Sequence, residues 1–136
     1  MGYYSTLSFN LDKVIVDKEK IKEVETYFSD YEKEGIVGFY NVKLPVKESN
    51  GKTVLENIEL DDYCGKFYDD RLFAEKLQKA IKKGTVRLFF VGEDNAMWGY
   101  MITSHDVTEL EAIFVPVGFV SKIEKHLKEV PNVLRI

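Results

Sequence analysis

Apolar and polar residues alternate at the start of the chain, over residues 2–11. A period of two places successive side chains on opposite sides of an extended backbone, so this segment predicts a strand with one buried face. One side carries Tyr3, Ser5, Leu7, Phe9 and Leu11, and the other carries Tyr4, Thr6, Ser8 and Asn10.

The next segment has apolar residues at three- and four-residue steps, which is the spacing of an amphipathic helix. Asp17 is suited to the N-cap of this helix and Gly35 to its end, which gives a predicted helix over 18–34. Its buried stripe is Ile21, Val24, Phe28 and Tyr31.

A second helix is predicted to begin at Asp69 or Asp70 and to end at Gly84. Lys82 and Lys83 then occupy its last turn, where cations interact favourably with the helix dipole. Its buried stripe is Phe73, Leu77, Ala80 and Ile81.

Two strands are predicted between the helices, at 36–44 and 53–60. Asn50-Gly51 lies between them and is a strong hairpin signal, because both residue types tolerate positive φ. Pro45 is compatible with an edge strand, where its missing N–H does little harm.

The second half of the chain predicts an antiparallel meander. Residues 85–91 are almost continuously apolar, as in a central strand, and strands at 96–102 and 109–117 follow. Ser121 and Glu124 then form the capping box of a short helix.

Pro131 ends this C-terminal helix, and residues 133–136 either add a short edge strand or cover the core. The predicted class is therefore α+β, in the ferredoxin-like βαββαβ order, with an antiparallel β-meander extension and a C-terminal helix.

Length and composition favour one domain over residues 1–136, because 45% of the residues are hydrophobic and no linker is present. Cys64 is the sole cysteine, so no internal disulfide can form and a reducing, cytoplasmic location is expected. No signal-peptide pattern opens the chain, and its apolar runs are too short for a membrane span.

Charge and residue types argue against several classes of function. The net charge is −4 with both signs interspersed, so nucleic-acid binding driven by a basic surface is not expected. One cysteine and two histidines, His105 and His126, are too few for a zinc site. The acidic residues Asp61, Asp62, Asp69 and Asp70 are interpreted as a solvated loop and a helix cap, with no metal or cofactor.

Catalytic signatures are also missing from the sequence. No phosphate-binding glycine loop or nucleophile elbow occurs, and the acidic neighbours of Cys64 oppose formation of a thiolate. This favours a protein without catalytic activity, although a minor enzyme remains an alternative.

The segment from Phe89 to Tyr100 contains the best candidate binding site. It brings Trp98 and Tyr100 close to Glu93 and Asp94 around one turn, and Trp and Tyr are enriched in binding hot spots. Tyr4 is a further candidate on the first strand. The alternative is that these aromatic residues simply pack across the sheet.

Two motifs carry a family resemblance. The opening Met1-Gly2-Tyr3-Tyr4-Ser5-Thr6 resembles the Met-Gly-Tyr-Tyr-Thr start of small proteins of unknown function encoded by phages and mobile elements. The segment from Leu88 to Asp94, with Trp98 downstream, is similar to the Phe-x-x-x-Gly-Glu-x segment of the same proteins. The resemblance implies a small accessory protein of phage or mobile-element origin, and it implies no activity.

Three functions follow as hypotheses. The first is a non-enzymatic protein-interaction or self-associating module. The second is a small-molecule or nucleotide-binding domain, or minor enzyme, whose polar groups would be Glu93, Asp94, Asp69 and His105. The third is single-stranded nucleic-acid binding on an open sheet face, with Tyr4 and Phe89 as stacking platforms.

Overall fold

A computed structural model describes residues 2–29, 36–112 and 133–134 of the chain. In chain order, its helices and strands are β1 (Ser5–Val16), α1 (Lys18–Tyr27), β2 (Val46–Ser49), β3 (Lys52–Leu55), β4 (Cys64–Gly65), α2 (Asp70–Gln78), β5 (Ile81–Gly92), β6 (Met97–Ile102), β7 (Val107–Ala112) and β8 (Val133–Leu134).

The described strands form one sheet in the order β2-β3-β1-β5-β6-β7-β8, and β4 also pairs with β1. Every pairing is antiparallel except that of β7 with β8. The α+β class and the β5-β6-β7 meander are therefore confirmed. The strand order differs from the predicted ferredoxin-like βαββαβ order, because β4 is an additional strand and the predicted strand at 36–44 does not form.

The pairing of β1 with β5 is the longest in the sheet and extends from Ser5↔Gly92 to Val16↔Ile81. It contains a β-bulge, at which Lys13 (φ 47°) and Gly84 (φ 89°) adopt left-handed backbone conformations. A Cβ on Gly84 would clash with the carbonyl oxygen of Lys13, so only glycine fits there.

This pairing corrects two predicted boundaries. The first strand was predicted to end at residue 11, but it continues to Val16 because Val14 and Val16 are buried. Because β1 continues to Val16, residues 81–84 join β5 and lie beside β1 instead of continuing the helix. Helix α2 therefore ends at Gln78, and Gly84 belongs to β5. The backbone N–H of Asp17 donates to the carbonyl of Ala80 (2.9 Å) where the two segments meet.

Helix α1 begins as predicted and ends earlier. The carboxylate of Asp17 accepts a hydrogen bond from the backbone N–H of Lys20 (3.0 Å), so the N-cap is confirmed. The helix ends at Tyr27 instead of residue 34, because the backbone N–H and the hydroxyl of Ser29 both donate to the carbonyl of Thr26 and close the last turn. The predicted stop at Gly35 lies outside the described residues.

The prediction of a strand at 36–44 is wrong. Gly38 (φ 101°) and Asn41 (φ 50°) turn the backbone away from an extended path, and among the described residues only Lys43 forms a bridge, with Glu59. The apolar side chains of this segment fill the core instead: Ile36, Phe39, Val42 and Leu44 are all buried.

The hairpin signal is confirmed, with shifted strands. Asn50 (φ 52°) and Gly51 (φ 74°) form the two-residue turn between β2 and β3. The second strand of the hairpin is Lys52–Leu55 instead of 53–60, and after it the chain leaves the edge of β1 until β4.

The core lies between one face of the sheet and the two helices with the 36–45 segment. Alternate residues of the central strands supply the sheet side, and Phe73 and Leu77 of α2 pack in the same cluster. The buried residues of the sheet in this cluster are Leu7, Val14, Val16, Leu55, Ile81, Val86, Leu88, Phe90, Tyr100 and Ile102. On the opposite face of β1, Thr6, Ser8 and Asn10 are exposed, as the alternation predicts.

Only part of the predicted C-terminal structure falls within the described residues. β7 begins at Val107 and its described part ends at Ala112, so the remainder of the predicted strand at 109–117 and the predicted helix at 121–131 lie outside the described residues. Residues 133–134 add an edge strand, parallel to β7. Neither helix in the described part of the chain is long and apolar enough to cross a membrane.

We expect Gly84→Ala to destabilise the protein more than Gly51→Ala. Both glycines have positive φ, and a non-glycine residue costs roughly 1–2 kcal/mol in that conformation. Only Gly84 adds a clash with Lys13, whereas a Cβ on Gly51 meets no atom of the described residues within 4 Å. Urea denaturation of the two variants measures the difference; equal losses of unfolding free energy would contradict this account of the bulge.

Candidate functional site

Trp98 lies near the start of β6, half-buried at the margin of the core. It is the cross-strand partner of Phe90, and their rings stack with centroids 5.5 Å apart at 8°. The indole Nε1 donates a hydrogen bond to Oδ2 of Asp70 (2.8 Å). These two contacts hold the indole in one orientation and leave part of it open to solvent.

The first turn of α2 supplies the acceptor for Trp98. Asp70 uses its other oxygen, Oδ1, to accept the backbone N–H of Arg71 (2.8 Å). The Arg71 guanidinium forms ion pairs with Glu75 and with Glu109 of β7. This corner of the protein is thus a connected polar network that joins α2 to the meander.

Tyr100 lies beneath this surface, with only 6% of its area exposed. Its ring meets Phe90 edge-on, with centroids 6.1 Å apart. Burial raises the pKa of Tyr100 above its ordinary value, and the charge of Asp70 raises it further. Of the predicted binding residues, Tyr100 is therefore part of the core and not of the open surface.

Tyr3 completes the setting of Trp98, although it was not among the predicted binding residues. Its ring centroid is 6.2 Å from that of the indole, and its hydroxyl donates to the carboxylate of Asp94. This hydrogen bond is the main reason that the pKa of Tyr3 is raised to about 12, and it lowers the pKa of Asp94. A Cβ on Gly92 would overlap the Tyr3 ring, so the glycine makes room for it.

The predicted residues Tyr4, Glu93 and Asp94 lie on the same end of the sheet. The backbone N–H of Glu93 donates to the carbonyl of Tyr4 (2.9 Å), and both Glu93 and Asp94 are exposed. The Tyr4 ring is 46% exposed, with Nζ of Lys66 5.5 Å from its centroid.

Tyr68 extends this surface. It is 52% exposed, and its hydroxyl accepts the backbone N–H of Tyr3 (2.7 Å). We call the whole set the aromatic surface, and it consists of Tyr3, Tyr4, Tyr68, Glu93, Asp94 and Trp98. Tyr3 could be assigned to it only from the pairing Ser5↔Gly92, and Tyr68 only from the pairing Ser5↔Gly65 and its hydrogen bond to Tyr3, since no local sequence signal links either residue to Trp98.

A cleft of about 280 Å³ lies next to Tyr4. We call it the connector cleft, because much of its wall comes from the residues between β3 and α2. The residues that line it include Tyr4, Tyr40, Asp61, Asp62, Cys64 and Lys66. Cys64 is a free, exposed thiol.

The polar groups of the small-molecule hypothesis are not brought together as a set. Asp69 is engaged with the backbone of Val37, whose N–H donates to its carboxylate (2.5 Å). His105 lies in the turn between β6 and β7, where its backbone N–H bonds to Thr103 (3.2 Å), at the opposite end of β6 from Trp98. Glu93 and Asp94 alone lie on the aromatic surface.

No group of three or more His, Cys, Asp or Glu residues in the described ranges could hold a metal ion. Comparisons of the chain with protein-family models, curated proteins and solved structures gave no match. The fold and the site define the chain as an α+β domain with an aromatic, acid-rimmed surface at one end of its sheet.

A double-mutant cycle on Trp98→Phe and Asp70→Ala tests the link between helix and meander. We expect a coupling free energy of about 1 kcal/mol, because the indole N–H donates to a charged, partly buried acceptor. Urea denaturation of the two single variants and the double variant measures it. Strict additivity would show that this hydrogen bond contributes nothing to stability.

Tyr3→Phe is expected to raise the pKa of Asp94 toward its ordinary value of 3.8, since the hydroxyl of Tyr3 is the largest cause of its lowering. Asp94 therefore stabilises the folded state above pH 3.8, and this contribution is lost as the pH falls through its lower folded-state pKa. Carboxyl NMR titration measures the change. Asp17, whose pKa is lowered chiefly by the backbone N–H of Lys20, serves as the unaffected control.

Proposed function

We propose that this protein is a non-enzymatic interaction module that binds a cationic segment of a partner protein on the aromatic surface. The observation that carries the proposal is that two exposed acidic residues contact tyrosines at this end of the sheet: Asp94 through the hydroxyl of Tyr3, and Glu93 through the backbone of Tyr4, which is itself exposed. Aromatic rings anchor protein interfaces, and their faces attract ammonium and guanidinium groups.

The charges of this corner support a cationic partner. Asp70 is occupied by Trp98 and the backbone of Arg71, and Arg71 itself is paired with two glutamates. Glu93 forms no ion pair with any described residue within 4.0 Å, and the same holds for Asp94. The exposed turn therefore carries two negative charges that no described ion pair neutralises, and the cation of the same surface, Lys66, lies over the ring of Tyr4.

Lys66 provides an internal example of the proposed contact. Its ammonium group lies over the ring of Tyr4, which is the geometry that a lysine or arginine of a partner would repeat on Tyr68 or Trp98. The rings are held in place before binding, because Tyr3 is bonded to both Tyr68 and Asp94. Such preorganisation lowers the entropic cost of association.

Titration with an arginine-rich peptide, followed by the fluorescence of Trp98, tests the proposal. We expect saturable binding that weakens as salt is added, and no response to a glutamate-rich peptide of equal length. Glu93→Gln with Asp94→Asn should weaken binding about tenfold. Glu19→Gln with Glu23→Gln removes the same charge from the exposed face of α1 and should leave binding unchanged.

If the two double variants weaken peptide binding equally, the affinity depends only on the net charge of the protein. That result would contradict binding at the aromatic surface. The other form of this hypothesis is self-association, which light scattering of the free protein tests by measuring its molar mass. Self-association that survives the loss of Glu93 and Asp94 charge would place the contact elsewhere.

Two further predictions from the sequence, the ferredoxin-like arrangement and the cellular location, are also proposals. A ferredoxin-like arrangement is proposed for the half of the sheet formed by β2, β3, β1 and β5 with the two helices. A reducing, cytoplasmic location is supported by the free and exposed thiol of Cys64.

A further inference from the structure

We propose that the connector cleft binds a small zwitterion of amino-acid size, with an ammonium group at the aspartates and a carboxylate at Lys66. This inference does not depend on the proposed protein interface, although the cleft shares Tyr4 with the aromatic surface. Three properties of the cleft lead to it: its unpaired opposite charges, its two tyrosine rings and its fixed walls.

Residues of opposite charge line the cleft, and the Lys66 ammonium lies over the ring of Tyr4 instead of against a carboxylate. No ion pair within 4.0 Å joins Lys66 to Asp61 or Asp62 in the described part of the chain. A ligand of a single charge would leave one of these groups facing a like charge, whereas a zwitterion complements both.

The carboxylates are oriented by the protein and keep acceptor capacity. Oδ2 of Asp61 accepts the side-chain amide of Asn41 (3.1 Å), and Oδ1 of Asp62 accepts the backbone N–H of Cys64 (3.0 Å). Each carboxylate therefore has a second oxygen for which the described residues supply no hydrogen bond. An ammonium group offers three donors to such oxygens.

The walls of the cleft are fixed against each other before any ligand binds. Gly38 has φ 101°, and a Cβ there would clash with the carbonyl oxygen of Lys66, so the two segments touch through their backbones. The backbones of Val37 and Asp69 are also joined, by a hydrogen bond of 3.2 Å. Because the walls are already in place, a ligand binds there with little loss of conformational entropy in the protein.

The size of the cleft limits the ligand. Its volume of about 280 Å³ is just below the roughly 300–1,000 Å³ of pockets that take drug-sized molecules. The rings of Tyr4 and Tyr40 provide apolar surface for the body of a ligand between its two charged ends.

Protection of Cys64 from alkylation gives a direct test, because it is the only cysteine in the chain and lies in the cleft. The intact protein is incubated with iodoacetamide and each of the common free amino acids, up to about 10 mM, well above a millimolar Kd. We expect at least one amino acid to slow alkylation and to raise Tm. Its decarboxylated amine and its deaminated acid should bind about tenfold more weakly or worse.

Three variants separate the cleft from its surroundings. Lys66→Met should abolish the preference for the amino acid over the amine, and Asp61→Asn with Asp62→Asn should abolish the preference over the acid. Glu93→Gln with Asp94→Asn lies outside the cleft and should leave protection unchanged. The proposal is overturned if no amino acid protects Cys64, or if the amine and the acid protect it as well as the zwitterion does.

Discussion

A column of aromatic rings in mutual contact runs from the centre of the core to the surface, and the rest of the structure depends on it. Phe39 stacks on Phe73 of α2 with centroids 4.5 Å apart, and Phe67 contacts both Phe39 and Phe90. Trp98 stacks on Phe90, and Tyr3 follows. Since protein interiors are packed as closely as organic crystals, the position of each ring sets that of the next. The exposed end of the column, Trp98 with Tyr3, is therefore positioned by the buried rings beneath it.

The long pairing of β1 with β5 determines which polar groups surround this exposed end. Its register places Ser5 opposite Gly92, so the residues just before β1 lie against the turn that follows β5. Tyr3 thereby reaches Asp94, and Tyr4 reaches Glu93. Helix α2 begins at the same end and presents Asp70 to Trp98. Aromatic rings and carboxylates from four separate stretches of the chain meet there because the strands are long and their register is unique.

Local signals in the sequence predicted the structure where the physical cause is itself local. Asp17 caps α1 because its side chain reaches an N–H three residues ahead, and Asn50-Gly51 turns because both residues accept positive φ. Local reasoning failed where distant segments compete. Gly84 resembles a helix stop, yet its positive φ serves a β-bulge against Lys13. Residues 36–44 are apolar enough for a strand, but four of their apolar side chains are buried in the core between the helices and the sheet.

For the candidate site, the sequence by itself determined that Trp98, Glu93 and Asp94 lie around one turn, since a hairpin joins neighbouring residues in any fold. It also determined the α+β class, through the periods of two and of three to four in its apolar positions. Only the tertiary structure decided that Tyr100 is buried and that Tyr3 and Tyr68 join the surface. It alone brought Asp61, Asp62 and Lys66 to one cleft with Tyr4 and Tyr40. Most of these contacts join segments that are far apart in the chain. Strand register and core packing determine such contacts, and a local sequence pattern specifies neither of them.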